Sequence, residues 1–396
     1  MSITDTPVES SSEAPQRFPT PDLRASALAE VTAQVAATAE ANDRSGDIPW
    51  EGLAIAHRAG LLTATVGQEY GGPDLGPAEV ARILIALGEG DPSVALITAN
   101  SLAVHHGQAV GAHWPLAVYE DLLTRSQAGP APVNAVRAEP ELGAPARGGL
   151  PTTTAVADGD HWILNGHKTF ATGGEALAYH VVWVLADDGR VGHLIVPGDA
   201  VGVRITRTWD HLGLRASNTH DVDYADVRVP IENFHEIPRV GGVYRDPAAV
   251  AGLWSFGHPA LYIGVARAAR QAFVDFATTR VPISLGRPIS TTERIQAVAG
   301  EIDTQIATAE TLLFGALARA QADEPAFGAQ LSLIKVAIAR AVITAVQTAV
   351  AALGNAALTR HHPLERHLRD VLCVRVHPPQ EDSALIAAGR RILDIP

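Results

Sequence analysis

The feature that most limits how this 396-residue chain can fold is a double change of hydrophobic period. Between residues 21 and 130 apolar side chains recur at helical spacing, in an Ala-rich segment at 23–42 and in runs from Pro77 to Gly88, Pro92 to Val110 and Pro115 to Arg125. From 131 to 240 the helical period gives way to short β-branched runs, punctuated by Asp158-Gly159, Asp188-Gly189 and Pro197-Gly198. Long Ala/Ile/Leu/Val segments then return at 247–279, 291–322, 326–353 and 380–393. This order predicts an α+β fold: a disordered tail over 1–20, an N-terminal helical domain over 21–130, a central antiparallel β domain over 131–240 and a C-terminal four-helix bundle over 241–396. The stretch from Leu331 to Leu353 is almost wholly apolar, so it belongs inside a bundle or between subunits.

Composition narrows the function. A net charge of -13 argues against nonspecific nucleic-acid binding. The 30 basic residues are all Arg apart from Lys168 and Lys335, a bias more simply explained by a GC-rich genome than by anion recognition. Cys373 is the single cysteine, which excludes an internal disulfide framework and a cysteine-based metal cluster. Apolar runs fall short of the roughly 18 residues that span a bilayer, and the polar N-terminus is unlike a signal peptide. A cytoplasmic protein without membrane contact is expected. Among the sixteen histidines, neither His105-His106 nor His361-His362 places two rings on one helical face, so no metal site is expected.

The central block carries the chemistry. Thr152 to Leu164 reads as two strands around a tight Asp158-Gly159-Asp160 turn, and Asn165-Gly166-His167-Lys168-Thr169-Phe170-Ala171-Thr172-Gly173-Gly174 closes the second strand and turns on glycines. Side-chain alternation puts Phe170 and Thr172 on one side, where an aromatic lies against a planar ring and a hydroxyl reaches its edge. Four further segments, one upstream and three downstream, lie along the chain. They are Gly60-Leu61-Leu62 with Glu69-Tyr70-Gly71-Gly72-Pro73, Leu212-Gly213-Leu214-Arg215-Ala216-Ser217, Asp226-Val227-Arg228-Val229-Pro230, and Pro363-Leu364-Glu365-Arg366-His367-Leu368-Arg369-Asp370. The ordered set, spanning about 50 to about 390, resembles the acyl-CoA dehydrogenase superfamily, including its reduced-flavin-dependent monooxygenase branch.

That resemblance implies a flavin, FAD or alternatively FMN, between the β domain and the bundle. Phe170 stands where the family usually has Trp beside the ring, and Thr172 where a hydroxyl meets N5, next to the Gly173-Gly174 turn. In the loop from Ala135 to Ala144, Glu139, Pro140 and Gly143 match the family pattern, while Ala138 and Ala144 replace its Thr and Ser. Backbone amides of that loop remain to meet the pyrimidine. Arg280 matches an arginine that approaches the pyrophosphate from a neighbouring subunit, and Glu293 falls near a Gln of the same pattern. Only Gly354 survives of a Gly-rich adenylate segment at 351–357. Either the adenylate is held differently or the cofactor is FMN. A homotetramer built by the bundle, a small-molecule substrate such as an acyl-CoA, and a flavin reductase or electron-transfer partner are also implied.

The base is the main departure. The family's dehydrogenases commonly place a Glu eight residues beyond the Asp of the R-x-x-R-D sequence. Counting from Asp370 reaches Pro378, and the position used by another branch falls at about Trp254. Glu381 and Asp382 can supply a relocated base or simply the acidic first turn of the last helix. His377 is a further acid/base candidate, or a donor to a flavin-bound oxygen. Three readings follow: a flavin-dependent oxidoreductase removing two electrons from an acyl thioester or similar small substrate, a monooxygenase using a flavin hydroperoxide, or a degenerate member without catalysis.

Overall fold

The computed structural model describes residues 16–111, 114–141, 149–240, 243–244, 257–322 and 330–395. Five helices come first: α1 (Ala25–Ser45), α2 (Trp50–Arg58), α3 (Pro77–Gly90), α4 (Pro92–Gly111) and α5 (Leu116–Ala128). Their ends obey local chemistry. Gly46 stops α1 in the left-handed region at φ 70°, which costs glycine nothing, and Pro77 opens α3 where its missing N–H is not needed. α4 is buried along most of its length and forms the centre of this group. α2 is a helix that the periodicity reading did not single out.

The β domain comprises β1 (Val133–Val136), β2 (Thr154–Asp158), β3 (His161–Ala171), β4 (Tyr179–Ala186), β5 (Val191–Pro197), β6 (Val203–Thr206), β7 (His220–Pro230) and β8 (Phe234–Glu236). They form one sheet in the order β6-β7-β3-β2-β4-β5-β8, with β1 beside β4. Most pairs are antiparallel, but β4 runs parallel to both β1 and β2, so the sheet is mixed rather than purely antiparallel. The predicted hairpin is present: Asp158 pairs with His161 across Gly159, which sits at φ 65°. A small ribbon of β9 (Arg239–Val240) and β10 (Val243–Tyr244) follows.

The remaining helices are α6 (Gly257–Thr279), α7 (Glu293–Gln321), α8 (Leu331–Leu353), the short α9 (Asn355–Leu358), α10 (Pro363–Leu372) and α11 (Glu381–Ile392). At 23 residues α8 is long and apolar enough to cross a membrane, contrary to the expectation that no run reaches that length. It packs instead against α6, α7, α10 and α11, and exposes a stripe of Arg340, Thr344, Gln347 and Ala351. The helix therefore has one side in water, which the near-absence of charge in its sequence did not show.

The helices before and after the β domain share one hydrophobic core, whereas the sheet keeps a core of its own around Trp162, Leu164, Val222 and Tyr224. Glycine lets the two helical groups touch. A Cβ on Gly88 of α3 would lie 2.1 Å from the carbonyl oxygen of Leu261 in α6, and one on Gly264 would lie 2.2 Å from that of Ile85. Backbone meets backbone there, and no larger residue fits either position.

Candidate functional site

On the β domain, Phe170 projects from the end of β3 with 58% of its surface exposed. Strict alternation does not carry it there. Pairing with β7 slips between Lys168 and Ala171, Phe170 takes φ 60°, and the Thr172 N–H donates to the Phe170 carbonyl at 2.9 Å. A non-glycine residue in the left-handed region is held by its surroundings, and here the twist turns an aromatic ring outward beside His211, which stacks on Trp209 at 3.5 Å. Thr172 is buried. Its hydroxyl lies 2.9 Å from that of Thr219, which lies 2.7 Å from that of Ser217. Such a hydroxyl chain can turn its protons either way, so Thr172 can accept from within and still donate outward. Gly173, at φ 103°, donates to the Ser217 carbonyl and closes the turn.

Lys168 and Glu139 fix this wall from behind. Both are almost wholly buried, 2.7 Å apart, and the carboxylate also accepts from the backbone N–H and the hydroxyl of both Thr152 and Thr153. Burial opposes ionisation of Glu139, but Lys168 and those four donors outweigh it and hold the carboxyl at about 2. All of these donors come from the protein, so the Glu139 side chain anchors the loop. The Thr169 N–H donates to the Ala138 carbonyl and joins loop to strand. Gly143 and Ala144 lie outside the described residues, as does Trp254.

On the bundle, the turn at His377-Pro378-Pro379 is surrounded by groups that the sequence reading did not assemble. His377 Nε2 lies 2.7 Å from the hydroxyl of the buried Tyr262, and its ring stacks on His258 at 4.5 Å with planes 14° apart. Lys335, 3% exposed, donates to the carbonyls of His377 at 2.6 Å and Pro379 at 2.8 Å. Burial and the Lys335 charge push His258 down to about 4, and burial, His258 and Lys335 hold His377 well below the usual histidine range. Burial lowers Lys335 itself to about 8. The pair of rings is thus neutral beside a cation. Tyr262 and His258 lie on α6, far in sequence from His377, and only the scarcity of lysine singles out Lys335.

The relocated-base candidates are not in contact with the two rings, although the charge of Glu381 reaches Lys335. Glu381 is held by Arg340, whose Nη2 donates at 2.6 Å, and the Asp382 carboxylate accepts from the Ser383 N–H at 2.8 Å, as befits the first turn of α11. Arg280 follows α6 with an exposed side chain, and Gly354 ends α8 at φ 58° with open space where a Cβ would be. Asp370 joins bundle to sheet: buried, it accepts from the Leu214 N–H at 2.8 Å, and burial pushes it up to about 7. Beside it Arg369 donates to Asp43 of α1 and to the Leu212 carbonyl. Among the described residues, no group of three His, Cys, Asp or Glu side chains is arranged to hold a metal.

An exposed aromatic face next to a hydroxyl edge fits a planar heteroaromatic group such as flavin. Known proteins agree. Family models described as acyl-CoA dehydrogenase N-terminal, middle and C-terminal domains match residues 21–112, 135–227 and 256–379. The chain is 30% identical over 355 residues to "Putative acyl-CoA dehydrogenase YdbM" of Bacillus subtilis, covering 88% of this chain and 91% of that protein. Among solved structures it resembles KijD3 in complex with FMN and a dTDP-linked amino keto sugar, with a TM-score of 0.77, 25% identity and coverage of 93% and 92% of the two chains. A nitrososynthase from Micromonospora carbonacea var. africana superposes with a TM-score of 0.76 at 26% identity, covering 93% and 95%.

Proposed function

Because this chain belongs to the acyl-CoA dehydrogenase family of flavoprotein oxidoreductases, we propose that it is a reduced-flavin-dependent monooxygenase of a small molecule. One observation carries the reading: at Pro378, where the family's dehydrogenases commonly place their base, the side chains in contact with the neighbouring His377 are Tyr262 and His258, and neither is a carboxylate. Removing a proton α to a thioester needs such a base; oxygen transfer does not. Flavin, when bound, supplies the two-electron exchange and, once reduced, the reaction with dioxygen, one oxygen atom passing to substrate and the other leaving as water.

The chain's own residues supply binding and proton handling. Phe170 offers the stacking face and Thr172 a hydroxyl for the N5 edge. With the Tyr262 hydroxyl donating to Nε2, His377 carries its proton on Nδ1 and can offer it to an oxygen atom. FMN suits the thinned adenylate pattern, in which Arg280 and Gly354 remain, and the solved relative KijD3 carries FMN. The exposed position of Arg280 agrees with a site completed by a neighbouring subunit, hence with a homotetramer, and reduced flavin then comes from a separate reductase.

The test is to identify the released flavin by mass and to add butyryl-CoA and octanoyl-CoA to the loaded protein without oxygen. The flavin should stay oxidised; rapid bleaching overturns the proposal. The similarity to YdbM supports the second reading, a dehydrogenase with a relocated base. In that case bleaching occurs and is abolished by Glu381→Gln or Asp382→Asn.

A further inference from the structure

Lysine is so scarce in this chain that each one marks a place where the compact, three-donor ammonium does something a guanidinium cannot. Both are buried. Lys168 has the carboxylate of Glu139 as a counter-charge; among the described residues Lys335 has none in contact. It meets the carbonyls of His377 and Pro379, and the carboxylate that lies toward it from α11, Glu381, is engaged by Arg340 of α8. The other titratable groups of this cluster are His258 and Tyr262 on α6 and His377 itself, with Cys373 and Asp370 beyond Tyr262. Among the described residues this buried cation touches carbonyl dipoles only, with Glu381 acting on it from a distance, and it sets a positive potential around the two stacked rings.

We infer that Lys335 is a positioning residue: its ammonium pins the His377–Pro379 turn, and its buried charge reserves the stacked His258–His377 pair as a neutral hydrogen-bonding surface for oxygen atoms. The inference rests on the placement of His377 in the proposed site. Geometry carries it. A proton on either ring would bring a second charge within a ring-stacking distance of the other and next to the ammonium, and α6 offers no carboxylate within the contacts of either ring to absorb it. The pair accordingly stays a neutral donor and acceptor through the physiological range, which suits donating a hydrogen bond to an anionic or electron-rich oxygen and disfavours a cationic ligand.

The experiment is a titration of the histidine ring signals by NMR in protein labelled only at histidine, with and without flavin, for the wild type and for Lys335→Met and Lys335→Gln. His258 and His377 of the wild type should stay neutral well below pH 6. In both variants their midpoints should rise by about one pH unit or more toward the ordinary histidine value. Lys335→Gln removes the charge while keeping a polar, shorter side chain with two amide hydrogens, so it serves if Lys335→Met fails to fold. Wild-type midpoints near 6.5, or variants that fold but titrate as the wild type does, overturn the proposal. Because the readout is available in flavin-free protein, its failure is distinct from bleaching by an acyl-CoA, which overturns the oxygenase reading.

Discussion

Two regions of the molecule, one on the β domain and one on the bundle, are built on the same device and read very differently from sequence. In each, a buried lysine holds a loop: Lys168 on the β domain grips Glu139 of the 137–140 loop, and Lys335 on the bundle grips the turn at 377–379. The first lysine is in direct contact with a carboxylate, whereas the second touches carbonyl oxygens and has Glu381 only at a distance. On the proposed reading, the β domain keeps a cofactor wall while the wall for chemistry is rebuilt around neutral rings and a cation.

The sharpest way to break this comparison is to remove each lysine. Lys168→Met leaves the Glu139 carboxylate buried without its cation and should cost about 3–5 kcal/mol in a denaturant titration. Lys335→Met strands neutral carbonyls only and should cost about 1–3 kcal/mol. Equal costs would mean that the two lysines do not differ as described.

Asp370, the tie between the two regions, gives the next effect. Its carboxyl ionises at about 7 in the folded protein against an ordinary 3.8, so the folded state binds the proton more tightly and loses stability relative to the unfolded chain as pH rises from about 4 to about 7. Asp370→Asn keeps an acceptor for the Leu214 N–H and removes that cost. Its stability relative to wild type should improve across this window by on the order of 2 kcal/mol. A flat difference would show that Asp370 ionises normally.

Thr172→Val should weaken flavin binding by a few-fold, equivalent to about 0.5–1.5 kcal/mol, measured by fluorescence titration. Unchanged affinity and turnover would remove Thr172 from the site. The smallest effect is expected for Glu381→Gln, which loses a partly exposed ion pair with Arg340 and should change stability by under about 1 kcal/mol, without altering substrate oxygenation. A large loss of turnover there would restore the relocated base.

Legibility in the sequence followed locality. The strand–turn–strand from Thr154 to Ala171 and the helices α3, α4 and α7 were readable because their signals lie within a few residues of one another. The parallel pairing of β4 with β1 and β2 was not, since register between distant strands leaves no local mark. Phe170 could be singled out on its strand, but its outward turn depends on a bulge opposite β7 that strict alternation cannot express. The cluster of His258, Tyr262, Lys335 and His377 draws on α6, α8 and the turn before α11, so nothing in any one segment announces it.

The glycine crossing of α3 and α6 also sets an order of events during synthesis. The helical core closes only when Gly88 and Gly264 meet, and the whole β domain is made between them. As the chain emerges from the ribosome, α1 to α4 cannot complete their burial until α6 arrives, whereas one face of the sheet draws its core from residues 136–234 alone and the other packs on Phe18, Val66, Tyr119 and Leu122. The apolar faces that α3 and α4 present to α6 thus stay open through the making of more than a hundred residues.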